Sequence, residues 1–278
     1  RSATATTTTA TTTTMMTAES EMKEWTKHNH MKLCRGHDLT CTSVALDNSN
    51  GGKTAYSASK DNSILMWDVE RQIKIHTIVP RWDGRDAQFT RNSGEVLAMD
   101  TSDDGRYLAV GGRDAAVKIY DVRQQQHSTS SVASTNTNTN TQTPSIQMKG
   151  LIHTFEGHKG PITALTFRSH SSQLFSGSTD RCIRHYNLQE LSYIETLYGH
   201  QAPITGLSCH GLHTEMPFSV GRDRTARAWK IAEDTHLIFR GGARVSNADC
   251  VAAIRDEWFL TGHDDGLLAL WTIGRKRA

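Results

Sequence analysis

GHQAPITGLSCHGLHTEMPFSVGRDRTARAWKI, residues 199–231, is the stretch that decides the fold. A Gly-His pair opens it, an Asp follows the histidine by 23 residues, and an aromatic residue stands six positions after the Asp. This separation suits a strand that leaves, a turn and a strand that returns, so His200 and Asp223 should end on the same face. There the carboxylate can accept a hydrogen bond from the imidazole and fix its tautomer. Ser219 and the indole of Trp229 are suitable further members of that network.

The six-residue spacing from an Asp to an aromatic residue recurs along the chain. It is found at Asp61/Trp67, Asp114/Tyr120, Asp180/Tyr186, Asp223/Trp229 and Asp265/Trp271. Gly-His pairs precede three of these, with the histidines His37, His158 and His200. Successive Asp residues lie 53, 66, 43 and 42 positions apart, so the period is about 42 once insertions at 71–93 and 124–147 are allowed for. This pattern resembles WD-repeat β-propellers, in which each repeat supplies one four-stranded blade.

We therefore predict an all-β fold with five blades, at about 37–80, 94–123, 151–197, 198–240 and 241–273. Short β-rich runs bounded by turn residues predict strands at Ile162–Phe167, Leu174–Gly177, Cys182–Tyr186 and Tyr193–Leu197. Residues 1–30 are Thr-rich and are expected to be largely disordered, whereas 31–278 should form the propeller. WD-repeat rings usually close with six to eight blades, so we expect either a fragment that lacks about two C-terminal blades or an open arc.

The composition argues against several classes of protein. The formal net charge is only +2, and 22% of the residues are charged. No apolar run approaches the ~18 residues that span a bilayer, and the first 17 residues lack the apolar core of a signal peptide, so no membrane partner is expected. The five cysteines form no CxxC pair, which fits reduced thiols in the cytosol or nucleus. A zinc site that combines them with some of the 14 histidines is the alternative, but no known ligand spacing occurs, and we predict neither metal nor cofactor.

The sequence does not favour catalysis. The histidines of the Gly-His pairs could serve as general bases, but their regular recurrence favours a structural role. No nucleophile motif, phosphate-binding glycine loop or paired-carboxylate motif stands out, and Asp103-Asp104-Gly105 is typical of a hairpin turn. We predict a binding protein with no catalytic residue and no small-molecule substrate.

Basic residues cluster near the turn that carries the repeat Asp, which in a blade lies on the same face as the Gly-His loop. The candidates for binding RNA phosphates are Lys60, Arg113, Lys159, Arg181, Arg222, Arg224 and Arg244. Cations gathered on one face would bind phosphate with salt-sensitive affinity. The alternative is that they pair with the Asp or stay solvated. For Arg275-Lys276-Arg277 the candidate roles are part of a nuclear localisation signal or an RNA contact, and the alternative is a solvated cluster.

A closer resemblance starts at residue 195. ETLYGHQAPITGL at 195–207 and SVGRDRTARAWKI at 219–231, followed by EDTHLIF at 233–239, resemble the WD-repeat protein of the U3 small nucleolar ribonucleoprotein. TGHDDGLLALW at 261–271 resembles the fifth blade of that family, and LCRGH at 33–37 with SKDNSI at 59–64 resembles its first. The resemblance covers about residues 32–277 and is strongest after 150.

That family has a seven-bladed propeller, so the resemblance implies a fragment of a seven-bladed ring. It also implies a non-enzymatic subunit of the nucleus and nucleolus that binds U3 small nucleolar RNA. The implied protein partners are a kink-turn-binding protein and other proteins of the small-subunit processome, and the implied role is in pre-ribosomal RNA processing. The rival interpretation is a WD-repeat adaptor for protein interaction, such as a ubiquitin-ligase receptor or a signalling scaffold, without RNA contact.

Overall fold

The computed structural model describes residues 36–78, 94–123, 150–209, 216–241, 246–255 and 257–274. Within these ranges the regular structure is five antiparallel sheets and two short 3-10 turns, so the all-β prediction is confirmed. No helix among the described residues is long and apolar enough to cross a membrane. Residues 1–30, the insertion at 124–147, Arg244 and the Arg275-Lys276-Arg277 cluster lie outside the described residues.

Each sheet is a blade whose strands follow one another along the chain. Blade 1 contains β1 (Cys41–Asp47), β2 (Thr54–Ser59), β3 (Ile64–Asp68) and β4 (Ile73–Ile78). Blade 2 contains β5 (Val96–Thr101), β6 (Tyr107–Gly112), β7 (Val117–Asp121) and β8 (Leu151–Phe155). Blade 3 contains β9 (Ile162–Phe167), β10 (Gln173–Ser178), β11 (Cys182–Asn187) and β12 (Ser192–Tyr198). Blade 4 contains β13 (Ile204–Cys209), β14 (Pro217–Gly221), β15 (Thr225–Lys230) and β16 (Thr235–Arg240), and the described part of blade 5 contains β17 (Ala248–Arg255), β18 (Trp258–His263) and β19 (Leu268–Thr272).

Blade 3 shows how closely the sequence pattern locates strands. Strand β9 has the expected bounds, and β10, β11 and β12 exceed the expected ones by no more than one residue at an end. In β9 and β10 nearly every side chain is buried, because blades pack against both faces of this sheet. Continuous apolar strands of this kind are typical of sheets that are covered on both sides.

Blade 2 ends later than the sequence interpretation placed it, and this is a correction. Strand β8 pairs with β7, with Val117 opposite Phe155 and Tyr120 opposite Leu151. Residues 151–155 therefore complete blade 2 instead of opening blade 3, which begins at Ile162. The physical reason is that β8 supplies the outer edge of the preceding sheet and packs Phe155 into the core. The insertion at 124–147 consequently falls between the third and fourth strands of one blade.

Four apolar clusters fill the junctions between consecutive blades. At the junction of blades 2 and 3, the rings of Phe155 and Tyr186 stack with centroids 4.4 Å apart. At the junction of blades 4 and 5, Phe218 and Phe259 stack at 4.6 Å. Burying an aromatic side chain of this size contributes about 1.5–3 kcal/mol, so the clusters are the main force that holds one blade to the next.

Threonine side chains also join neighbouring blades. The register of the innermost strand shifts by one residue near its start, and the skipped residue is a threonine in blades 1, 3 and 4. Thr42 Oγ1 donates to the Val96 carbonyl at 2.7 Å, Thr163 Oγ1 to that of Ile204 at 2.6 Å, and Thr205 Oγ1 to that of Ala248 at 2.5 Å. A β-bulge thus aims one hydroxyl from each of these blades at the backbone of the next.

The junction of blades 2 and 3 uses carboxylates instead. The skipped residue of β5 is Leu97, which has no donor. Asp100 accepts a hydrogen bond from the Phe167 amide at 2.7 Å, and Asp103 accepts one from the His170 amide at 2.7 Å. Burial raises the pKa of Asp100 to about 6, because its hydrogen bonds to amides only partly offset the loss of water.

The innermost strands follow one another in chain order, β1, β5, β9, β13 and β17. No comparable contact joins β1 to β17 within the described ranges. Val44 and Leu46 on blade 1 are exposed, as are Leu268 and Leu270 on blade 5. The two ends of the series therefore each present apolar side chains that no described sheet covers.

Candidate nucleic-acid interface

The network that the sequence predicts around His200 is present in blade 4. Trp229 Nε1 donates to Ser219 Oγ at 2.8 Å, and Ser219 Oγ lies 2.7 Å from His200 Nε2. Because an indole N–H can only donate, the serine hydroxyl is free to donate to Nε2. The imidazole proton then resides on Nδ1, which donates to Asp223 Oδ2 at 2.9 Å. This chain of bonds fits the Nδ1–H tautomer of the histidine.

Asp223 holds the end of the blade together through several donors. It accepts from the Gln201 amide at 3.0 Å, from the Thr225 amide at 3.1 Å and from Thr225 Oγ1 at 2.7 Å, besides His200. Burial works to raise the pKa of Asp223, but these hydrogen bonds outweigh it and hold the pKa well below its ordinary value. A carboxylate stabilised this strongly is a structural anchor, and it is unsuited to exchange protons near neutral pH.

Blades 3 and 1 have variants of the same arrangement. In blade 3, His158 Nδ1 lies 2.8 Å from Asp180 Oδ2 and Nε2 lies 2.7 Å from Ser176 Oγ, and Tyr186 replaces the indole. Burial lowers the pKa of His158, so this imidazole is neutral at pH 7.

In blade 1 a second serine comes between the histidine and the Asp. His37 Nδ1 bonds Ser63 Oγ at 2.8 Å and lies 3.5 Å from Asp61 Oδ2, while Ser63 donates to the same carboxylate. Ser57 accepts from Trp67 Nε1 at 2.7 Å, as Ser219 does from its indole.

Two predicted members of the network do not meet a histidine among the described residues. Asp114 in blade 2 pairs with Lys118 Nζ at 2.6 Å, and the buried hydroxyl of Tyr120 has no hydrogen-bond partner in the described part of the chain. In blade 5, Asp265 is exposed and accepts from the Leu267 amide of its own turn at 3.0 Å. Repeats two and five lack the Gly-His pair, and among the described residues neither carboxylate bonds an imidazole.

Blade 5 obtains its imidazole from a nearby position in the chain. Trp271 Nε1 donates to Thr261 Oγ1 at 2.8 Å, and Thr261 Oγ1 lies 2.8 Å from His263 Nε2. His263 belongs to the same strand as the threonine instead of a preceding loop. The serine position four residues before the Asp is thus filled by a threonine, which the sequence analysis did not single out.

The residue after each repeat Asp has a left-handed backbone. Its φ is 65° at Asn62, 60° at Ala115, 72° at Arg181, 59° at Arg224 and 83° at Gly266. Asn and Gly adopt this conformation readily, whereas other residues pay about 1–2 kcal/mol. Two arginines therefore occupy strained positions at the tips of equivalent turns in blades 3 and 4.

The described candidate cations lie at this end of the blades, which we call the Asp-turn face. It comprises the repeat-Asp turns and the loops that precede the first strand of each blade. The six described candidates are all exposed: Lys60, Arg113, Lys159, Arg181, Arg222 and Arg224. Arg113 Nη1 is 3.4 Å from Glu95 Oε2, with its side chain 56% exposed. For the other five, no carboxylate of the described residues lies within ion-pair distance.

Two further cations, which are not among the sequence-predicted candidates, stand four residues after the repeat Asp. Arg184 donates to the carbonyls of Glu156 at 3.2 Å and Gly157 at 2.5 Å. Arg227, only 4% exposed, bonds His236 Nε2 at 2.7 Å and has Asp223 Oδ2 at 3.9 Å. The signal that could have found them is a basic residue two positions before the repeat aromatic.

The glycine of one Gly-His pair is explained by this packing. Gly157 has a φ of 125°, a region that favours glycine, and a Cβ there would collide with the Arg184 guanidinium. A side chain at this position would require the guanidinium to move and would strain the backbone.

A groove crosses the Asp-turn face of blade 3. Its volume is about 390 Å³, and it is lined by Lys159, Arg181, Arg184 and Tyr198, together with both Gly-His loops that flank the blade. Tyr198 is the last residue of β12, and 72% of it is exposed. Asp180 is the carboxylate on the wall, and its oxygens already accept from His158 and from the amides of Lys159 and Cys182. The groove therefore has a net positive lining beside an uncovered aromatic ring.

Metal binding finds no support in this part of the chain. No group of three or more His, Cys, Asp or Glu side chains with a metal-binding arrangement occurs among the described residues. The described cysteines Cys41, Cys182, Cys209 and Cys250 are free thiols. The zinc alternative thus gains nothing from the described geometry.

Comparison with known families agrees with the repeat geometry. Residues 29–68, 86–121 and 149–187 match the sequence model described as WD domain, G-beta repeat. The chain contains WD40 repeats. The fourth and fifth blades lie outside the matched residues but have the same strand order and the same aromatic position.

Individual relatives of this chain confirm the resemblance noted in the sequence. A U3 snoRNP-associated protein-like chain of Arabidopsis thaliana is 34% identical over 253 residues, covering 87% of this chain and 45% of its own. The human U3 small nucleolar RNA-interacting protein 2 is 35% identical over 249 residues, covering 89% and 46%. Ribosomal RNA-processing protein 9 of Saccharomyces cerevisiae is 27% identical over 282 residues, covering 83% and 45%. The chain spans about half the length of these curated relatives.

A solved structure titled "Structure of U3-55K" is also similar. It is 34% identical, with a TM-score of 0.70, and the match covers 88% of this chain and 65% of that one. Similarity at this level extends the agreement from the repeat pattern to the arrangement of the blades.

Proposed function

We propose that this chain is a non-catalytic subunit of the U3 small nucleolar ribonucleoprotein and that its Asp-turn face binds RNA. The observation that carries the proposal is the set of exposed cations at equivalent turns of neighbouring blades, of which Arg222 and Arg224 flank one repeat Asp.

The cations suit a phosphate backbone better than they suit their own carboxylates. The repeat Asp residues of blades 3 and 4 are already occupied by histidine and backbone donors. Arg181 and Arg224 therefore have no structural carboxylate to neutralise and point their charge at solvent. Each phosphate contact that such a residue makes releases counterions, so RNA affinity should fall steeply with salt.

The His–Asp–Ser networks of blades 3 and 4 do not provide a reactive group. His158 and His200 are buried and use both ring nitrogens in hydrogen bonds, so a substrate cannot reach them. A scaffold role follows, with the imidazoles serving to hold the turns that display the cations.

The partners and location are extended from the relatives. Because proteins with U3 and ribosomal RNA-processing names are similar to this chain, we place it in the nucleus and nucleolus, in processing of pre-ribosomal RNA for the small subunit. We further propose that it joins U3 small nucleolar RNA beside a kink-turn-binding protein and contacts other proteins of the small-subunit processome.

Crosslinking followed by RNA sequencing tests the proposal in cells. We expect U3 small nucleolar RNA to be enriched above all other RNAs. Recovery of no RNA, with proteins recovered instead, would refute the proposal and favour the protein-interaction adaptor.

Charge reversal tests the interface itself. The pair Arg222→Glu and Arg224→Glu should weaken RNA binding and reduce the slope of log affinity against log salt by roughly 1.4–1.8, that is about 0.7–0.9 per lost phosphate contact. The matched control reverses Arg71 and Lys74, which are exposed in blade 1 away from the Asp-turn face and change the net charge equally. If both pairs weaken binding equally, the effect comes from net charge, and the proposed interface is wrong.

A further inference from the structure

We infer that the groove on blade 3 is a site for one unpaired nucleotide, whose base stacks on Tyr198 while its phosphate lies between Lys159 and Arg181. This inference rests on the proposed function, because it specifies which chemistry of an RNA the Asp-turn face recognises. Three observations support it, and each comes from a different property of the groove.

The first observation is the exposure of Tyr198. The repeat aromatics on this part of the molecule are buried, with Tyr186 and Trp229 at 1% and 3% exposure. Tyr198 instead stands open at the end of β12, opposite Cys182, immediately before a Gly-His pair. An uncovered ring beside a cationic groove is what single-stranded nucleic acid uses as a stacking platform, because every base offers a flat face.

The second observation is the charge of the lining. Lys159, Arg181 and Arg184 stand against Asp180, whose oxygens accept from His158 and from backbone amides. Two carbonyls hold the Arg184 guanidinium against the groove, where it also lies over the Tyr193 ring. A ligand that is both anionic and planar matches this lining, and a nucleotide has both properties.

The third observation is the backbone strain at Arg181. Its φ of 72° is a conformation that Asn62 and Gly266 adopt readily in the equivalent turns of other blades, whereas Ala115 and Arg224 share the strain. Strained positions persist where the residue type serves a purpose that the fold alone does not require. An arginine here places its charge at the rim of the groove that Tyr198 also lines.

The nucleotide must be unpaired. In a duplex both faces of each base are covered by its neighbours, so a tyrosine ring cannot stack on one. A bulged or terminal nucleotide exposes a face and keeps its phosphate nearby. A volume of about 390 Å³ is at the small end of ligand sites, which span about 300–1,000 Å³, and it suits one nucleotide better than several.

The test compares two RNA hairpins that differ by a single bulged nucleotide. The wild-type chain should bind the bulged hairpin more tightly than the fully paired one. Tyr198→Ala should lose roughly 5- to 140-fold in affinity for the bulged hairpin and bind both hairpins alike, since base stacking is worth about 1–3 kcal/mol and 1.4 kcal/mol is tenfold. Tyr198→Phe keeps the ring and should retain the discrimination.

Two further variants assign the roles. The double variant Lys159→Ala and Arg181→Ala should weaken binding to both hairpins and lower the slope of log affinity against log salt. It should not remove the preference for the bulged hairpin. Trp258→Ala, which removes an exposed aromatic of blade 5 outside the groove, should change neither. Photocrosslinking of the bulged hairpin, with mass spectrometry of the peptides, should place the nucleotide on Tyr198.

The outcomes separate this inference from the proposed function. If the wild-type chain binds neither hairpin at low salt, RNA binding itself fails and the inference fails with it. If it binds both hairpins equally, or if Tyr198→Ala matches wild type on the bulged hairpin, the nucleotide site is wrong while RNA binding stands. A crosslink that maps elsewhere on the Asp-turn face would also overturn the site.

Discussion

Replacing Arg181 and Arg224 by glycine should make the protein more stable and a weaker RNA binder at the same time. Both residues have a positive φ, at 72° and 59°, directly after a repeat Asp. A structural arginine would give the opposite result for stability, because its removal would cost contacts. The double variant therefore separates a side chain kept for binding from one kept for folding.

The expected gain in stability can be worked from the backbone. A left-handed conformation costs a residue with a side chain about 1–2 kcal/mol relative to glycine. Glycine in turn loses about 0.5–1 kcal/mol more on folding, because its unfolded chain is freer. The net gain is about 0.5–1 kcal/mol per site, and the two turns belong to different blades, so the gains should add to about 1–2 kcal/mol.

Urea denaturation and filter binding measure the two effects. The midpoint should rise, and the melting temperature should increase by about 2–4 °C per kcal/mol. Loss of two cations should lower the salt slope of RNA binding by roughly 1.4–1.8. Ala115→Gly is the matched control, since Ala115 has the same backbone, with a φ of 60°, and no charge. It should be stabilised by about 0.5–1 kcal/mol, with RNA affinity unchanged.

Two results would refute the reasoning. A double variant that is less stable than wild type would mean that the arginine side chains contribute to folding through contacts. A more stable variant with undiminished RNA affinity would mean that the strained positions have no part in binding.

Three further predictions concern stability. Asp223→Ala should lower the unfolding free energy measured in urea by at least about 3 kcal/mol, because several donors lose a charged acceptor. Asp265→Ala, in an exposed turn, should lower it by less than about 1 kcal/mol. Equal losses would contradict the assigned roles. The pKa of Asp100 is about 6 in the folded state and about 3.9 in the unfolded state, so protonation of this carboxyl stabilises the fold. That stabilisation is present at low pH and is lost as pH rises through about 4–6. Asp100→Asn should flatten the dependence of the unfolding free energy on pH in that window, and an unchanged profile would show that another group titrates there. Tyr120→Phe should leave the unfolding free energy unchanged or raise it by up to about 1 kcal/mol, since the buried hydroxyl has no hydrogen-bond partner among the described residues. A loss of more than about 1 kcal/mol in thermal melts would show that the hydroxyl does have a partner.

The sequence predicted contacts that depend on spacing. Gly-His, Ser and Asp at fixed separations were enough to anticipate that His200 meets both Ser219 and Asp223. It could not predict that β8 belongs to blade 2, because strand pairing across an insertion is set by packing far along the chain. Nor did it indicate the left-handed backbone at Arg181, since arginine gives no signal of the kind that Asn or Gly gives.

The sequence predicted only part of the candidate site, because the remainder depends on contacts between distant segments of the chain. Cations next to the Asp could be listed from the sequence, but their freedom from ion pairs depends on which carboxylates fold close to them. Arg184 and Tyr198 were not among the candidates, because they meet Lys159 only when the two loops that flank blade 3 come together.

The position of β8 affects how the protein is made. Strand β7 ends at Asp121 and β8 starts at Leu151, so the 29 residues from 122 to 150 must be synthesised before blade 2 acquires its outer strand. At about 5–20 residues per second, translation leaves a three-stranded sheet with an open edge for about 1.5–6 s. During that interval the nascent chain is most open to mispairing with another strand. A ribosome that pauses within this segment would lengthen the exposure, so codon choice between residues 122 and 150 should affect the yield of correctly folded protein.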